Sequence, residues 1–194
     1  MKTLSAAILI LLIISISYLT FGKLGIPDGL TAVSPFELSR LEGDWYEIAR
    51  LDHGFEKGYS HVIYRYELSE DGRFTVENKA FDTRKGRMVS SKGKGSAIDD
   101  ATIGRLKVSY FGPFYGSFNI IALDQEHYQW MMATGPSRHY FWIFSRSQTL
   151  DDKTMQELIR QAVASGFKLE KMVYVDQKSD PAAAATPDPA AKTP

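Results

Sequence analysis

From residue 43 to residue 146 the chain alternates apolar and polar positions with a period of two, interrupted by turn residues. Val62, Tyr64, Tyr66 and Leu68 alternate with His61, Arg65 and Glu67. Glu70-Asp71-Gly72-Arg73 follows as a hairpin turn, because Asp-Gly accepts the left-handed backbone of tight antiparallel connections. Phe74, Val76, Asn78 and Ala80 resume the alternation, as do Leu106, Val108 and Tyr110 further on. Gly112-Pro113 breaks the chain, and residues 118–123 form a mostly apolar run ended by Asp124-Gln125-Glu126. Tyr128, Trp130 and Met132 come next, then Gly135-Pro136 and a strand over residues 140–146. With a strand at Trp45 and a polar one near residues 86–98, about eight antiparallel strands result, apolar on one face and polar on the other. Such a sheet makes a sandwich or a closed barrel, and an eight-stranded barrel encloses room for side chains or one small ligand.

After Arg146 the period changes. Met155, Leu158, Ile159, Ala162 and Val163 follow i, i+3, i+4, i+7, i+8 spacing, an apolar stripe on a helix. Thr149 or Asp151 is placed to cap its start, and Gly166 to end it. Residues 168–175 read as one more strand, with Leu169, Val173 and Val175 on one side.

The ends of the chain differ from this middle. Lys2 precedes an uncharged apolar run from Leu4 to Phe21, which reads as a signal peptide or an N-terminal membrane anchor over residues 1–21. Ser15-Ile16-Ser17 offers a small-x-small cleavage pattern; without cleavage, Lys2 would stay cytoplasmic and the domain would face outward. Both options export the domain. Residues 22–34, with Gly25, Pro27 and Gly29, read as a linker, and residues 35–177 as the folded domain. Residues 178–194 form a Pro/Ala-rich tail that cannot build a core and is expected to be disordered.

Composition narrows the chemistry. An aromatic share of 12% suits a β-rich protein that encloses something apolar. Lys+Arg and Asp+Glu balance at 23 each, which argues against nucleic acid as a partner, since phosphate binding needs a basic excess. There are no cysteines, so disulfides, thiolate catalysis, Cys-based zinc sites and lipid attachment through an N-terminal Cys are excluded. His53, His61, His127 and His139 are scattered without metal-ligand spacing, and His61 and His127 are expected on the surface of strands. No cofactor or metal site is expected. Gly93-Lys94-Gly95-Ser96 lacks the spacing of a phosphate loop and reads as a strand-edge turn. No Gly-x-Ser-x-Gly elbow occurs, and the domain is expected not to be an enzyme.

Three ordered motifs carry a family resemblance. Gly43-Asp44-Trp45-Tyr46-Glu47-Ile48-Ala49-Arg50 opens the first strand, and Tyr140-Phe141-Trp142-Ile143-Phe144-Ser145-Arg146 forms the last barrel strand. Residues 107–116 and 119–124 lie between them. Together these resemble the lipocalin family over residues 35–177, closest to bacterial lipocalins and their apolipoprotein D-like relatives. The resemblance implies an all-β fold: an eight-stranded antiparallel up-and-down barrel, a C-terminal helix packed outside it and a ninth strand. It implies that Trp45 plugs the closed end with Arg146 across its face, Gly43 completing the motif. It further implies a carrier of fatty acids, lysophospholipids or similar lipids, used in membrane maintenance. Family members often dimerise, so a homodimer is a further expectation. The location implied is the bacterial cell envelope, periplasmic or membrane-associated. Many bacterial members are outer-membrane lipoproteins, but this chain lacks the acylated Cys that holds them there, and its N-terminal segment would serve as the membrane contact instead. Two alternatives stay open: a catalytic lipocalin acting on a lipid or isoprenoid, and an envelope interaction module.

Strand parity nominates the cavity wall. Counting back from Arg146 puts Phe144, Trp142 and Tyr140 on one face, with Trp142 and Tyr140 nearer the open end. Tyr115 and Phe118, beside Gly112-Pro113, are expected on the same wall. Tyr66, Val76, Val108 and Tyr110 complete the candidate ligand contacts. A strand bulge would reverse such assignments.

Overall fold

The computed structural model describes residues 24–179. The apolar run at residues 4–21 and nearly all of the Pro/Ala-rich tail lie outside the described residues.

A four-residue 3-10 turn, Leu38–Leu41, leads into eight antiparallel strands. These are β1 (Gly43–Leu51), β2 (Tyr59–Leu68), β3 (Arg73–Asp82), β4 (Arg87–Ala97), β5 (Arg105–Phe111), β6 (Phe114–Leu123), β7 (Trp130–Thr134) and β8 (Phe141–Ser145). Each pairs with the next, and β1 pairs with both β2 and β8, which closes the sheet into an up-and-down barrel. Helix α1 (Asp152–Ala164) and a short β9 (Met172–Tyr174) complete the fold. Closure removes the sheet edges that would otherwise invite pairing with other chains.

The barrel's two faces build two cores. The inner one gathers Trp45, Val62, Tyr64, Tyr66, Phe74, Val76, Phe118 and Phe144, among others. The outer one lies between the sheet and α1, where Leu158 and Ala162 meet Met132, Phe141, Ile143, Ala49 and Leu51. The N-cap of α1 is Asp151, whose Oδ1 accepts the Thr154 amide at 3.0 Å. Gly166 ends the turn beyond it with φ +82°, a conformation that costs a side chain but not a glycine. Val163, counted on the apolar stripe, is 57% exposed. It lies at the stripe's edge, where the helix surface curves away from the sheet.

Two irregularities in β1 shape the site. The strand pairs with β2 over Gly43–Tyr46, and its register against β8 shifts between Glu47 and Ala49. Beyond the bulge its free edge is taken by β9, Ala49 facing Tyr174 and Leu51 facing Met172. Gln177 stitches the gap left between β1 and β2, its amide donating to the Glu47 carbonyl at 2.8 Å and the Val62 carbonyl at 2.9 Å. The final strand is therefore three residues long instead of eight, because only this stretch of β1 edge is open to it.

Two other expectations need revision. Of residues 22–34, read as a linker, the described part, 24–34, is bonded along the outside of β5 and β6. The Val33 amide donates to the Ile120 carbonyl, and the Gly25 carbonyl accepts from Ser117 Oγ at 2.7 Å and Asn119 Nδ2 at 3.0 Å. Gly93-Lys94-Gly95-Ser96 lies within β4 and not at a turn. A Cβ on Gly95 would stand 2.4 Å from Phe74 Cζ, so glycine there lets the Phe74 ring cross the strand.

Candidate functional site

The closed end is set by Trp45. Its ring is fully buried, its Nε1 donates to the Leu41 carbonyl at 2.8 Å, and Arg146 Cζ sits 4.0 Å from the ring centroid. Arg146 Nη1 donates to the Asp44 carbonyl at 2.9 Å and Nη2 to the Arg40 carbonyl at 2.6 Å. The guanidinium thus ties the 3-10 turn to the start of β1 while its face covers the indole. Gly43 has φ +94°, and a Cβ there would meet Arg146 Nη1 at 3.4 Å. This end of the barrel is shut against water.

An aromatic series climbs from the interior along β8. Phe144 meets Tyr64 edge-on at 5.0 Å and Phe118 at 6.0 Å. Phe118 lies 6.0 Å from Trp142, and Tyr140 stacks on Trp142 at 6.1 Å. Exposed Phe55, in the β1–β2 loop, stacks on Tyr140 at 6.4 Å. The series therefore runs from Phe55 and Tyr140, at the end of the barrel that carries the β1–β2 loop, inward to Trp142. Below that, Tyr64, Phe118 and Phe144 fill the lumen at mid-height.

The other nominated positions separate by face. Tyr66 and Val76 are buried in the inner core, with Tyr66 5.6 Å from Phe74, and Val108 is partly buried against it. Tyr110 crosses inward over Gly93, where an added Cβ would meet its ring at 2.9 Å, and its hydroxyl donates to Asn78 Oδ1 at 3.0 Å. Tyr110 is 41% exposed, which places it at the mouth. Tyr115 is not brought to this wall. It shares the outer face of β6 with Ser117 and Asn119, both bonded to Gly25, and Lys107 Nζ lies 5.7 Å from its ring. Tyr115 and Phe118 lie three residues apart on β6, an odd spacing that puts their side chains on opposite faces of the sheet. His61 stands at the β2 bulge with φ 53°, its Nε2 2.7 Å from the Ser179 carbonyl.

A buried charged cluster sits on the same wall, and the sequence reading missed it. Glu47 and Arg50 are fully buried, with Arg50 Nη1 2.7 Å from Glu47 Oε1. Arg50 Nη2 donates to the carbonyls of Glu56 at 2.7 Å and Tyr59 at 3.1 Å, which pins the β1–β2 loop against the barrel. The Glu56 carboxylate accepts from the Tyr64 hydroxyl through Oε1 and from Trp142 Nε1 through Oε2 at 3.0 Å. His53 Nε2 lies 3.0 Å from Glu56 Oε2 without the alignment of a hydrogen bond, and its ring packs edge-on against Trp142 at 5.2 Å. Glu47 Oε2 has no partner among the described residues.

Burial and the neighbouring Glu56 charge push the Glu47 carboxyl well above the usual range, against the opposing pull of Arg50. For Glu56 burial also acts upward, but His53, Trp142 and Tyr64 outweigh it and hold the carboxyl below its usual range. The two carboxyls around one guanidinium are therefore shifted in opposite directions, Glu47 up and Glu56 down. A signal for this cluster exists in the sequence. Glu47 shares the strand face of Trp45, and a bulge at Ile48 turns Arg50 to the same side. Among the described residues no group of three or more acidic or His side chains converges as metal ligands would.

A closed antiparallel cup, sealed below by an indole and a guanidinium and entered past aromatic rings, defines a barrel of the kind that takes small ligands end-on. The Lipocalin-like domain family matches residues 36–177, and the chain belongs to that family. Several curated relatives are named "Outer membrane lipoprotein Blc". The one from Vibrio cholerae is 40% identical over 162 residues, covering 84% of this chain and 95% of that protein. The one from Escherichia coli K12 is 44% identical over 151 residues, covering 78% and 85%. Apolipoprotein D of Mus musculus is 28% identical over 75% of this chain and 79% of that protein. Among solved structures, the tobacco hornworm protein insecticyanin superposes with a TM-score of 0.62 at 21% identity, covering 78% of this chain and 86% of the other, a likeness of fold.

Proposed function

We propose that this lipocalin is an exported carrier that holds a fatty acid or lysophospholipid with its acyl chain in the barrel and its head group at the mouth. The observation that carries this reading is the vertical ordering of the lumen. The base is sealed by Trp45, the middle is aromatic, and the mouth combines Trp142, Tyr140 and Tyr110 with the polar side chain of Asn78. An acyl chain gains about 0.8 kcal/mol per CH₂ removed from water, and a few polar groups suffice to orient its head. Tyr64, Phe118 and Phe144 occupy the space an acyl tail would take, so loading requires these rings to swing aside.

The role is binding. Glu56 has both oxygens engaged by Tyr64 and Trp142, and it serves to fix the wall, not to move a proton. The relatives named as outer membrane lipoproteins support a place in the cell envelope. In this reading the carrier serves membrane upkeep, with the N-terminal apolar segment as the membrane contact in a chain without cysteine. No helix among the described residues is long and apolar enough to cross a membrane.

The test is titration of delipidated protein with a lysophospholipid while following Trp fluorescence. Saturable change is expected, with weaker binding in Trp142→Ala. A flat titration with intact fold would favour the second reading, an envelope interaction module with a filled lumen, which the three mid-height rings support.

A further inference from the structure

The open end of the barrel differs from the rest of the surface in two independent ways. Of seven large hydrophobic side chains exposed among the described residues, five are at this end: Phe55 at 69%, Met88 at 54%, Tyr110 at 41%, Phe111 at 83% and Phe114 at 37%. They come from the β1–β2 loop, the start of β4 and both sides of the β5–β6 turn, three separate connections that topology brings to one rim. Isolated exposed apolar residues need no explanation, but tips of several loops carrying aromatic rings together do.

Charge is also divided between the ends. The turns at the closed end, residues 69–72, 98–104 and 124–129, hold six carboxylates, Glu70, Asp71, Asp99, Asp100, Asp124 and Glu126, of which Asp71 faces Arg73 and Asp99 faces Arg105 at the adjoining strand ends, while Arg40 bonds the carbonyls of Gln125 and Glu126. The open rim carries exposed Lys57, Arg84, Lys85 and Arg87, against one exposed carboxylate in the β1–β2 loop, Asp52. Its Asp82 is buried beneath Arg84 and Lys85, at 3.2 and 3.3 Å, and among the described residues Lys57 and Arg87 form no ion pair. A chain with equal numbers of acidic and basic residues is thus polarised along its barrel axis.

We propose that the open rim docks directly on an anionic lipid surface, with Phe55, Phe111 and Phe114 entering the interface and Lys57, Arg84, Lys85 and Arg87 facing the head-group charge. The acidic turns at the far end are repelled by the same surface, so the field orients the mouth downward before contact. Aromatic rings favour the interfacial layer, and cations at its edge add attraction that salt weakens. This contact is distinct from any made by the N-terminal segment and does not depend on which lipid the lumen holds.

The absence of cysteine allows a single probe to be placed at will. Full-length protein carrying Phe111→Cys, labelled with a polarity-sensitive dye, is mixed with vesicles of phosphatidylcholine alone or with added phosphatidylglycerol, both containing nitroxide lipid. Gln125→Cys, exposed at the closed end, is the matched control. The N-terminal segment is the same in both, so quenching reads contact at the labelled site. The expected result is a blue shift and quenching at position 111 on anionic vesicles only, none at position 125, and a loss of about fivefold or more in Lys57→Glu/Arg87→Glu. Equal quenching at both sites, or none at either, overturns the proposal. Equal quenching at position 111 on both vesicle types overturns the anionic assignment. Shielding of position 111 that grows with protein concentration before vesicles are added assigns the rim to a second copy and also overturns it. A rim that stays in water while lysophospholipid still changes Trp fluorescence sinks the docking and leaves the carrier reading standing.

Discussion

Arg146 holds its guanidinium carbon 4.0 Å above the Trp45 ring while two of its nitrogens bond the carbonyls of Asp44 and Arg40. The pair works as one unit, because the same side chain covers the indole and locks the backbone that frames it. Trp45→Ala should cost about 3–5 kcal/mol, the range for large buried truncations. Arg146→Lys should cost about 1–2 kcal/mol, since a point charge replaces a planar fork that stacks and bonds two carbonyls. Urea unfolding of the two variants measures both, and a parent-like midpoint for Trp45→Ala would show that the ring seals nothing.

Glu47 and Glu56 respond to pH in opposite senses. The folded value of Glu47 is raised above its ordinary 4.5, so the folded state holds a proton the unfolded chain has lost. Its contribution is full below that ordinary value and declines as pH rises through the folded one. The folded value of Glu56 is lowered, so its contribution is present above 4.5 and disappears as pH falls through the folded one. Glu47→Gln mimics the protonated carboxyl, and the variant should gain on the parent as pH is raised from about 5 to about 8. Glu56→Gln should lose most near neutrality, by about 1–3 kcal/mol, and less at acid pH. Unfolding midpoints at the two pH values decide this, and parallel slopes in parent and Glu47→Gln would remove Glu47 from the account.

Two glycines should behave oppositely on replacement by alanine. At Gly95 the new methyl would stand 2.4 Å from Phe74 Cζ and 2.5 Å from the Lys107 carbonyl oxygen, and the backbone oxygen cannot swing away. Gly95→Ala should therefore cost about 1–3 kcal/mol. At Gly116 nothing lies within 4 Å and φ is ordinary, so Gly116→Ala should be neutral or gain about 0.4–1 kcal/mol through a less flexible unfolded chain. Thermal melting of the pair checks both, and equal shifts would show that the Phe74 crossing is looser than drawn.

Much of this fold was legible because a barrel repeats one rule. Alternation gave the strands, Asp71-Gly72 a hairpin, and a change of period after Arg146 the helix. Parity along β8 separated Phe144 and Trp142 from Phe141 and Ile143, which face the helix. What failed sits where the rule was not applied or is locally broken. Tyr115, three residues from Phe118 on β6, takes the outer face by the same parity, and the close approach of Phe74 made a strand of a glycine pair that resembled a turn. The Glu47–Arg50 pair escaped notice because a charged residue in an alternating strand reads as solvent-facing. Only the bulge after Glu47 brings Arg50 round to meet it.

Phe118 offers a test of how deep a ligand reaches. Its ring lies 6.0 Å from both Trp142 and Phe144, where the mouth gives way to the filled middle of the lumen. In the carrier reading an acyl chain must displace it, and the displacement subtracts from the gain of about 0.8 kcal/mol per buried CH₂. Phe118→Ala removes that obstacle. The variant should melt lower, by the equivalent of about 3–5 kcal/mol, because an empty space replaces a packed ring. It should also bind long-chain lysophospholipids more tightly relative to short ones, since the added methylenes now enter space already open. Titration of parent and variant with a series of acyl lengths reads the effect directly. If the preference between short and long chains is the same in both proteins, the acyl chain does not pass Phe118 and the ligand is held at the mouth alone.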